Sequence, residues 1–165
     1  NQGRGDGDMW LAHERLGYNY RLDEMSCALG LVQLERIEEL LRKRERVAQA
    51  YTRLLRDAPG VQVPSIASDT TRASWFLYVV RLTDRANRDR IIHWLQSRGV
   101  PARPYFPPIH LQPFYRTQFG HREGDFRVAE MAGGSSLALP FSGLMTQGQI
   151  EYVCEALQDA LRAVR

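Results

Sequence analysis

The sequence predicts a two-layer α/β domain, with helices packed on a small mixed sheet, and three patterns carry that prediction. Apolar residues recur at spacings of three and four through two long stretches, Leu22 to Leu54 and Ile150 to Val164, as helices with one buried face require. Between them, Trp75-Phe76-Leu77-Tyr78-Val79-Val80-Arg81-Leu82 is aromatic and β-branched, the strongest strand signal in the chain. At 165 residues, with 44% hydrophobic and 25% charged, the chain is long enough for one domain with its own core and too apolar to be disordered.

Taken in order, residues 1–17 are glycine-rich and polar before turning apolar around Trp10-Leu11, which reads as a loop leading in from something upstream. Asp23 suits a helix N-cap, with Glu24 well placed near the positive helix end. Leu22, Met25, Leu29 and Val32 then set an apolar stripe. A phase shift carries it on through Leu34, Ile37, Leu41, Val47, Tyr51 and Leu54, so one bent helix or two in succession is expected, ended by Pro59-Gly60. Val61-Gln62-Val63 is a short strand candidate ahead of the stronger one at 75–82. Asn87 to Arg98 forms a helix with Ile91, Ile92 and Leu95 inward, and Gly99 is placed to stop it. Pro101 to Leu111 is proline-rich and extended, Asp125 to Met131 a short helix, and Leu137-Ala138-Leu139 a short buried strand. Thr146-Gln147-Gly148-Gln149 has the pattern of a capping box opening the last helix, whose inner face is Ile150, Val153, Leu157, Leu161 and Val164.

Composition narrows the function. No apolar run is long enough to span a bilayer and no signal-peptide pattern is visible, so a cytoplasmic protein is expected. Cys27 and Cys154 lie in helical patterns far apart, which favours two buried thiols over a disulfide, and no metal-ligand spacing exists. Net charge is +3, carried almost wholly by arginine. The densest run, Arg42-Lys43-Arg44-Glu45-Arg46, reads as a solvated helix face, because a nucleic-acid patch would interleave aromatics or belong to a known module. Lys43 is the only lysine in the chain.

Four groups of residues could carry chemistry. In Gly17-Tyr18-Asn19-Tyr20-Arg21, an amide and a guanidinium lie just before a helix and would suit a phosphate or carboxylate. The residues alone favour a structural turn in which Arg21 pairs with Asp23 or Glu24. The second group runs from Arg103 through Tyr105 and His110 to Tyr115; its prolines lower the entropy cost of holding a ligand, yet a packed surface loop fits it as well. His13-Glu14-Arg15 and His121-Arg122-Glu123 read as structural polar segments, and His93 as an ordinary helical histidine. There is no nucleophile elbow, P-loop, G-x-G-x-x-G after a strand or pair of inward carboxylates. Alone, the chain looks like a domain that contributes to a site.

The run from Gly17 to Glu35, together with Trp75 to Val80, Tyr105-Phe106-Pro107-Pro108-Ile109-His110-Leu111-Gln112-Pro113-Phe114-Tyr115 and Ser136-Leu137-Ala138-Leu139-Pro140, closely resembles the DegT/DnrJ/EryC1/StrS family. These are pyridoxal-phosphate-dependent sugar aminotransferases of the aspartate aminotransferase fold, and the motifs occur in the family's order along essentially the whole chain. The resemblance is to the C-terminal portion only. It implies that residues 1–22 are a connecting loop from a cofactor domain, and that residues 23–165 are the small domain with its leading long helix.

The resemblance also implies roles. The asparagine of the turn, here Asn19, would reach across a homodimer interface to the cofactor phosphate of the other subunit. Arg21 would meet the anionic part of a nucleotide sugar, and His110 would line the substrate pocket with Tyr105 and Arg103 as neighbours. No catalytic residue is expected in this chain: Lys43, in an arginine-rich helix, matches neither the position nor the desolvated setting of the lysine that holds the cofactor. The chain alone is therefore expected to be inactive. In the complete enzyme an amino group would pass from an amino acid, glutamate by analogy, to a keto-sugar nucleotide for polysaccharide or antibiotic sugars. A dehydratase of the same family, and a stand-alone binding or assembly module, are the alternatives. No nucleic-acid, membrane or metal partner is expected.

Overall fold

Asp23 begins the first helix as its sequence predicts. In the computed structural model, which describes residues 16–83 and 87–164, its carboxylate accepts from the Ser26 backbone amide at 2.9 Å and from the Ser26 hydroxyl at 2.7 Å. Helix α1 (Glu24–Glu35) and helix α2 (Ile37–Leu55) are two elements, separated at Arg36, whose amide turns back to the Gln33 and Leu34 carbonyls. The division between two compact units falls just beyond, between Glu38 and Glu39.

In the first unit the expected inner stripe is not buried. Met25, Leu29 and Val32 are 84%, 65% and 49% exposed, and no residue of α1 is buried. Apolar side chains lie all round this helix, Leu31 and Leu34 included, so three- and four-residue spacing there does not mark a core face. Cys27 is accordingly half-buried, where a buried thiol was expected.

In the second unit the sheet is antiparallel throughout, where a mixed sheet was expected. Strands β1 (Val61–Gln62), β2 (Tyr78–Leu82), β3 (Arg103–Pro104) and β4 (Ser136–Leu139) stand in the order β1-β2-β4-β3. The passage from β2 through helix α3 (Arg88–Ser97) to β3 suggests a parallel pair. Instead β4 enters between them and pairs antiparallel with both, matching Tyr78 to Leu139 and Arg103 to Ala138. Strand β2 also starts later than its aromatic run, because Trp75 takes a left-handed backbone (φ +46°) that no ladder accommodates. Its ring stacks on Tyr78 instead.

By register Tyr78, Val80, Leu82, Leu137 and Leu139 share one sheet face, and they form the core with α2, α3 and helix α6 (Gln147–Ala163). Helix α3 ends in a Schellman motif at Gly99 (φ +75°), with Val100 donating to Leu95 and Gly99 to Gln96. Helix α6 opens with the expected capping box at Thr146 and Gln149. Its inner face holds Ile150, Val153, Leu157 and Val164, with Leu161 packed at the margin, and adds Cys154, Ala156 and Ala160. Polar atoms inside this core are paired: Tyr51 donates to the Pro140 carbonyl at 2.7 Å, and the Tyr78 and Thr52 hydroxyls meet at 2.8 Å. Burial pushes the Tyr51 phenol up, the Tyr78 phenol up to about 12 and the Cys154 thiol up to about 12.

Two further helices connect β3 to β4. Helix α4 (Pro113–Phe119) has proline in its first turn and stops at Gly120, while helix α5 (Arg127–Ser135) runs directly into β4. The short helix expected at 125–131 thus begins two residues later and continues to Ser135.

Candidate functional site

The predicted site residues fall in both units, and each group has its own geometry. In the first, the Arg21 amide donates to the Asn19 carbonyl at 3.1 Å, closing a tight turn, and Tyr18 and Tyr20 stack over it at 5.1 Å with planes 9° apart. Both rings are exposed, at 60% and 87%. Among the described residues the Arg21 guanidinium pairs with neither Asp23 nor Glu24, so the structural pairing that the residues alone favour is not made. The helix end itself is already taken. Hydrogen bonds from the Ser26 amide and hydroxyl hold the Asp23 carboxyl below its ordinary range, so an anion here would repel the cap. A phosphate at this turn would have to rest on the Asn19 amide and Arg21 guanidinium.

In the second unit the proline-rich segment is docked on α5. Arg103 sits on edge strand β3, exposed, in register with Ala138 and Val79. The same register puts Arg81 on that outer face, a second exposed cation that the sequence pattern did not single out. Tyr105 is half-buried and stacks on Phe106 at 4.1 Å. Beyond it the chain passes so close to α5 that a Cβ on Gly133 would lie 2.6 Å from the Phe106 carbonyl oxygen and 3.0 Å from Pro108 Cδ. Glycine at 133 is what permits this approach.

His110 follows, in a 3₁₀ turn (Ile109–Leu111), and is 7% exposed. Its Nε2 meets Glu130 Oε1 at 3.0 Å, and its ring is edge-on to Phe126 (4.8 Å) and His121 (6.1 Å). Glu130, in the first turn of α5, also accepts from the Gly124 amide at 2.9 Å and the Phe126 amide at 3.2 Å. Partial burial pushes this carboxyl up, but the bonds from His110 and the two amides outweigh it and hold the group below the usual glutamate range. One carboxylate therefore ties the 3₁₀ turn, the loop after α4 and the start of α5 together. Glu130 is the residue that sequence reasoning missed, and its signal was only an acidic side chain in the first turn of a weakly predicted helix. His121, read as structural, pairs with Asp125 at 3.3 Å, and His93 is an exposed helical residue. His13-Glu14-Arg15 lies outside the described residues.

Lys43 forms an ion pair with Glu39 one turn back on α2, and both side chains are partly exposed. Among the described residues no cluster of three or more His, Cys, Asp or Glu could hold a metal ion. Nor is any described helix long and apolar enough to cross a membrane.

Residues 1–158 match the DegT/DnrJ/EryC1/StrS aminotransferase family. The chain is 29% identical to the spore coat polysaccharide biosynthesis protein SpsC of Bacillus subtilis, over 98% of this chain and 42% of that protein. It is 36% identical to a GDP-perosamine synthase of Caulobacter vibrioides, over 88% of this chain and 39% of the relative. Among solved structures, the aminotransferase TlmJ of Streptoalloteichus hindustanus superposes with a TM-score of 0.81 at 26% identity, covering 99% of this chain and 43% of that one. The chain thus spans about two fifths of the length of the proteins it matches.

Proposed function

The chain belongs to the DegT/DnrJ/EryC1/StrS aminotransferase family, and we propose that it forms the C-terminal part of a pyridoxal-phosphate-dependent enzyme that moves an amino group from glutamate to a keto-sugar nucleotide. Residues 1–22 are the connecting loop from a cofactor domain and residues 23–165 the small domain with its leading helix. The enzyme works in the cytoplasm as a homodimer. Pyridoxal phosphate, when bound, supplies the electron sink for moving the amino group. This chain supplies positioning.

Asn19 holds the cofactor phosphate of the opposite subunit through its side-chain amide. Arg21 is the nearby cation, set for an anionic group of the nucleotide sugar, which a guanidinium binds through two parallel N–H donors. Arg103, Tyr105 and His110 line the sugar-nucleotide pocket, carried by a segment that prolines and Gly133 fix against α5. The lysine that holds the cofactor is not Lys43, which is engaged with Glu39, so this chain alone does not transaminate. GDP-perosamine, named for the Caulobacter relative, is the first sugar nucleotide to test.

The observation that supports this reading most directly is the Arg21 guanidinium, which has no ion-pair partner among the described residues, two positions from Asn19 in an exposed turn, within a family match that runs from residue 1 to 158. The test is Asn19→Ala in the complete protein. Loss of one hydrogen bond to a charged phosphate costs roughly 1.5–3 kcal/mol, which is about 10- to 150-fold in the cofactor's dissociation constant. Affinity for pyridoxal, which lacks the phosphate, should not change. Equal retention of pyridoxal phosphate by variant and parent would refute the role.

A further inference from the structure

The His110 ring has one nitrogen engaged and one idle. Nε2 meets Glu130, while Nδ1 has no hydrogen-bond partner among the described residues, although the side chain is only 8% exposed. A buried ring nitrogen with no partner is costly unless a ligand or solvent satisfies it. Glu130 decides which kind of partner fits. Its oxygens receive the Gly124 amide at 2.9 and 3.1 Å and the Phe126 amide at 3.2 Å, an environment built for a carboxylate, which can only accept. The proton in the contact with His110 therefore belongs to Nε2. In the neutral ring that leaves a lone pair on Nδ1. The plane of the ring is held as well, by Phe126 and His121 packed edge-on against it.

We propose that Glu130 is a positioning residue that locks His110 in its Nε2–H tautomer, so that Nδ1 accepts a hydrogen bond from a hydroxyl of the bound sugar. The hydroxyl half of this statement rests on the reading that His110 lines the substrate pocket; the tautomer half does not. One oxygen, Oε1, takes the contact with His110 and both backbone amides, so it must be an acceptor and the ring nitrogen facing it must be the donor.

The two halves are tested separately. For the first, histidine-selective ¹⁵N spectra of the 165-residue chain are recorded at a pH where the rings are neutral, with His110→Gln assigning the signals. The expected result is a pyridine-like Nδ1 and a pyrrole-like Nε2 for His110, kept in Glu130→Gln, whose oxygen the two amides hold in place, and a shift towards mixed populations in Glu130→Ala, which removes the acceptor. A pyrrole-like Nδ1 in the parent overturns the proposal without recourse to any variant. An unchanged tautomer in a folded Glu130→Ala overturns it too. For the second half, the complete protein is titrated with GDP-perosamine and, separately, with GDP. Movement of the His110 Nδ1 signal with GDP-perosamine but not with GDP supports acceptance from the sugar. No movement with millimolar GDP-perosamine overturns the placement of His110 at the substrate, while leaving the tautomer result standing.

Discussion

Replacing Gly133 by alanine should destabilise this protein, against the usual preference of helices for alanine. Gly133 lies inside α5 and its backbone needs no positive φ, so intrinsic propensity alone would favour alanine by about 1 kcal/mol. The added Cβ, however, would sit 2.6 Å from the Phe106 carbonyl oxygen, 3.0 Å from Pro108 Cδ and 3.2 Å from Pro108 Cγ. Contact between non-bonded heavy atoms is comfortable at about 3.5–4.0 Å, so the overlap with the carbonyl approaches an ångström. The obstacle is backbone in a segment stiffened by Pro104, Pro107 and Pro108, which cannot swing aside as a long side chain would. Overpacking of this kind costs typically 1–3 kcal/mol. Set against the gain in propensity, the net loss is about 0–2 kcal/mol, with relief available only by lifting the segment from α5 and loosening the His110–Glu130 contact. Gly148→Ala is the internal control, because it also lies in a helix and a Cβ there meets nothing within 4 Å. Thermal and urea unfolding of both variants would be compared with the parent, a change of 1 kcal/mol being worth about 2–4 °C in Tm for a chain of this size. The expected order is Gly148→Ala above Gly133→Ala, with the latter below the parent. A Gly133→Ala protein more stable than the parent would refute the close approach as the reason for glycine.

Three other outcomes follow from the thiols, the buried phenols and the last helix cap. Cys154 should resist thiol reagents in the native protein while half-buried Cys27 reacts, giving one modified thiol per chain before denaturation and two after it. Because Cys154, Tyr51 and Tyr78 are all held protonated by burial, the unfolded chain sheds their protons first as pH rises past 9.0 for the thiol and 10.0 for the phenols, so stability should fall steadily above pH 9, by up to about 1.4 kcal/mol per pH unit for each group. Urea midpoints that stayed flat from pH 8 to 11 would contradict this. Thr146→Ala removes the acceptor for the Gln149 amide and opens the capping box of α6, which should cost about 1 kcal/mol by the same unfolding assay.

Much of the fold was legible where one physical signal acted alone. Asp23, Gly99 and Thr146 announce helix ends because the chemistry of capping is local, and the structure bears out all three. The stripe through Met25 and Leu29 misled because spacing records which residues are apolar, not whether a partner face exists within the same unit. Sheet polarity was misread because β4 is remote in sequence from both strands it separates, and no local pattern encodes that insertion. The site divides in the same manner. His110 stood out as an imidazole in a proline-stiffened segment, but the residue that holds it, Glu130, lies twenty positions on, in a different helix. Only packing of α5 against the segment brings the two together, and that packing turns on one missing methyl group at Gly133.

The insertion of β4 has a consequence for how the chain is made. While residues up to Ser135 are emerging, β2 and β3 have no hydrogen-bonded partner in each other, and the gap between them can be closed only by the Ser136–Leu139 segment that comes later. The helices can form early from local contacts, but the sheet is a zip fastened from the middle and last. Until that segment arrives, the edges of two strands lie open to pairing with other chains, which makes translation of the stretch after α5 the moment of greatest exposure to misassembly. Synonymous codons that slow the ribosome between α5 and α6 should therefore lower the yield of soluble protein more than the same codons placed within α2.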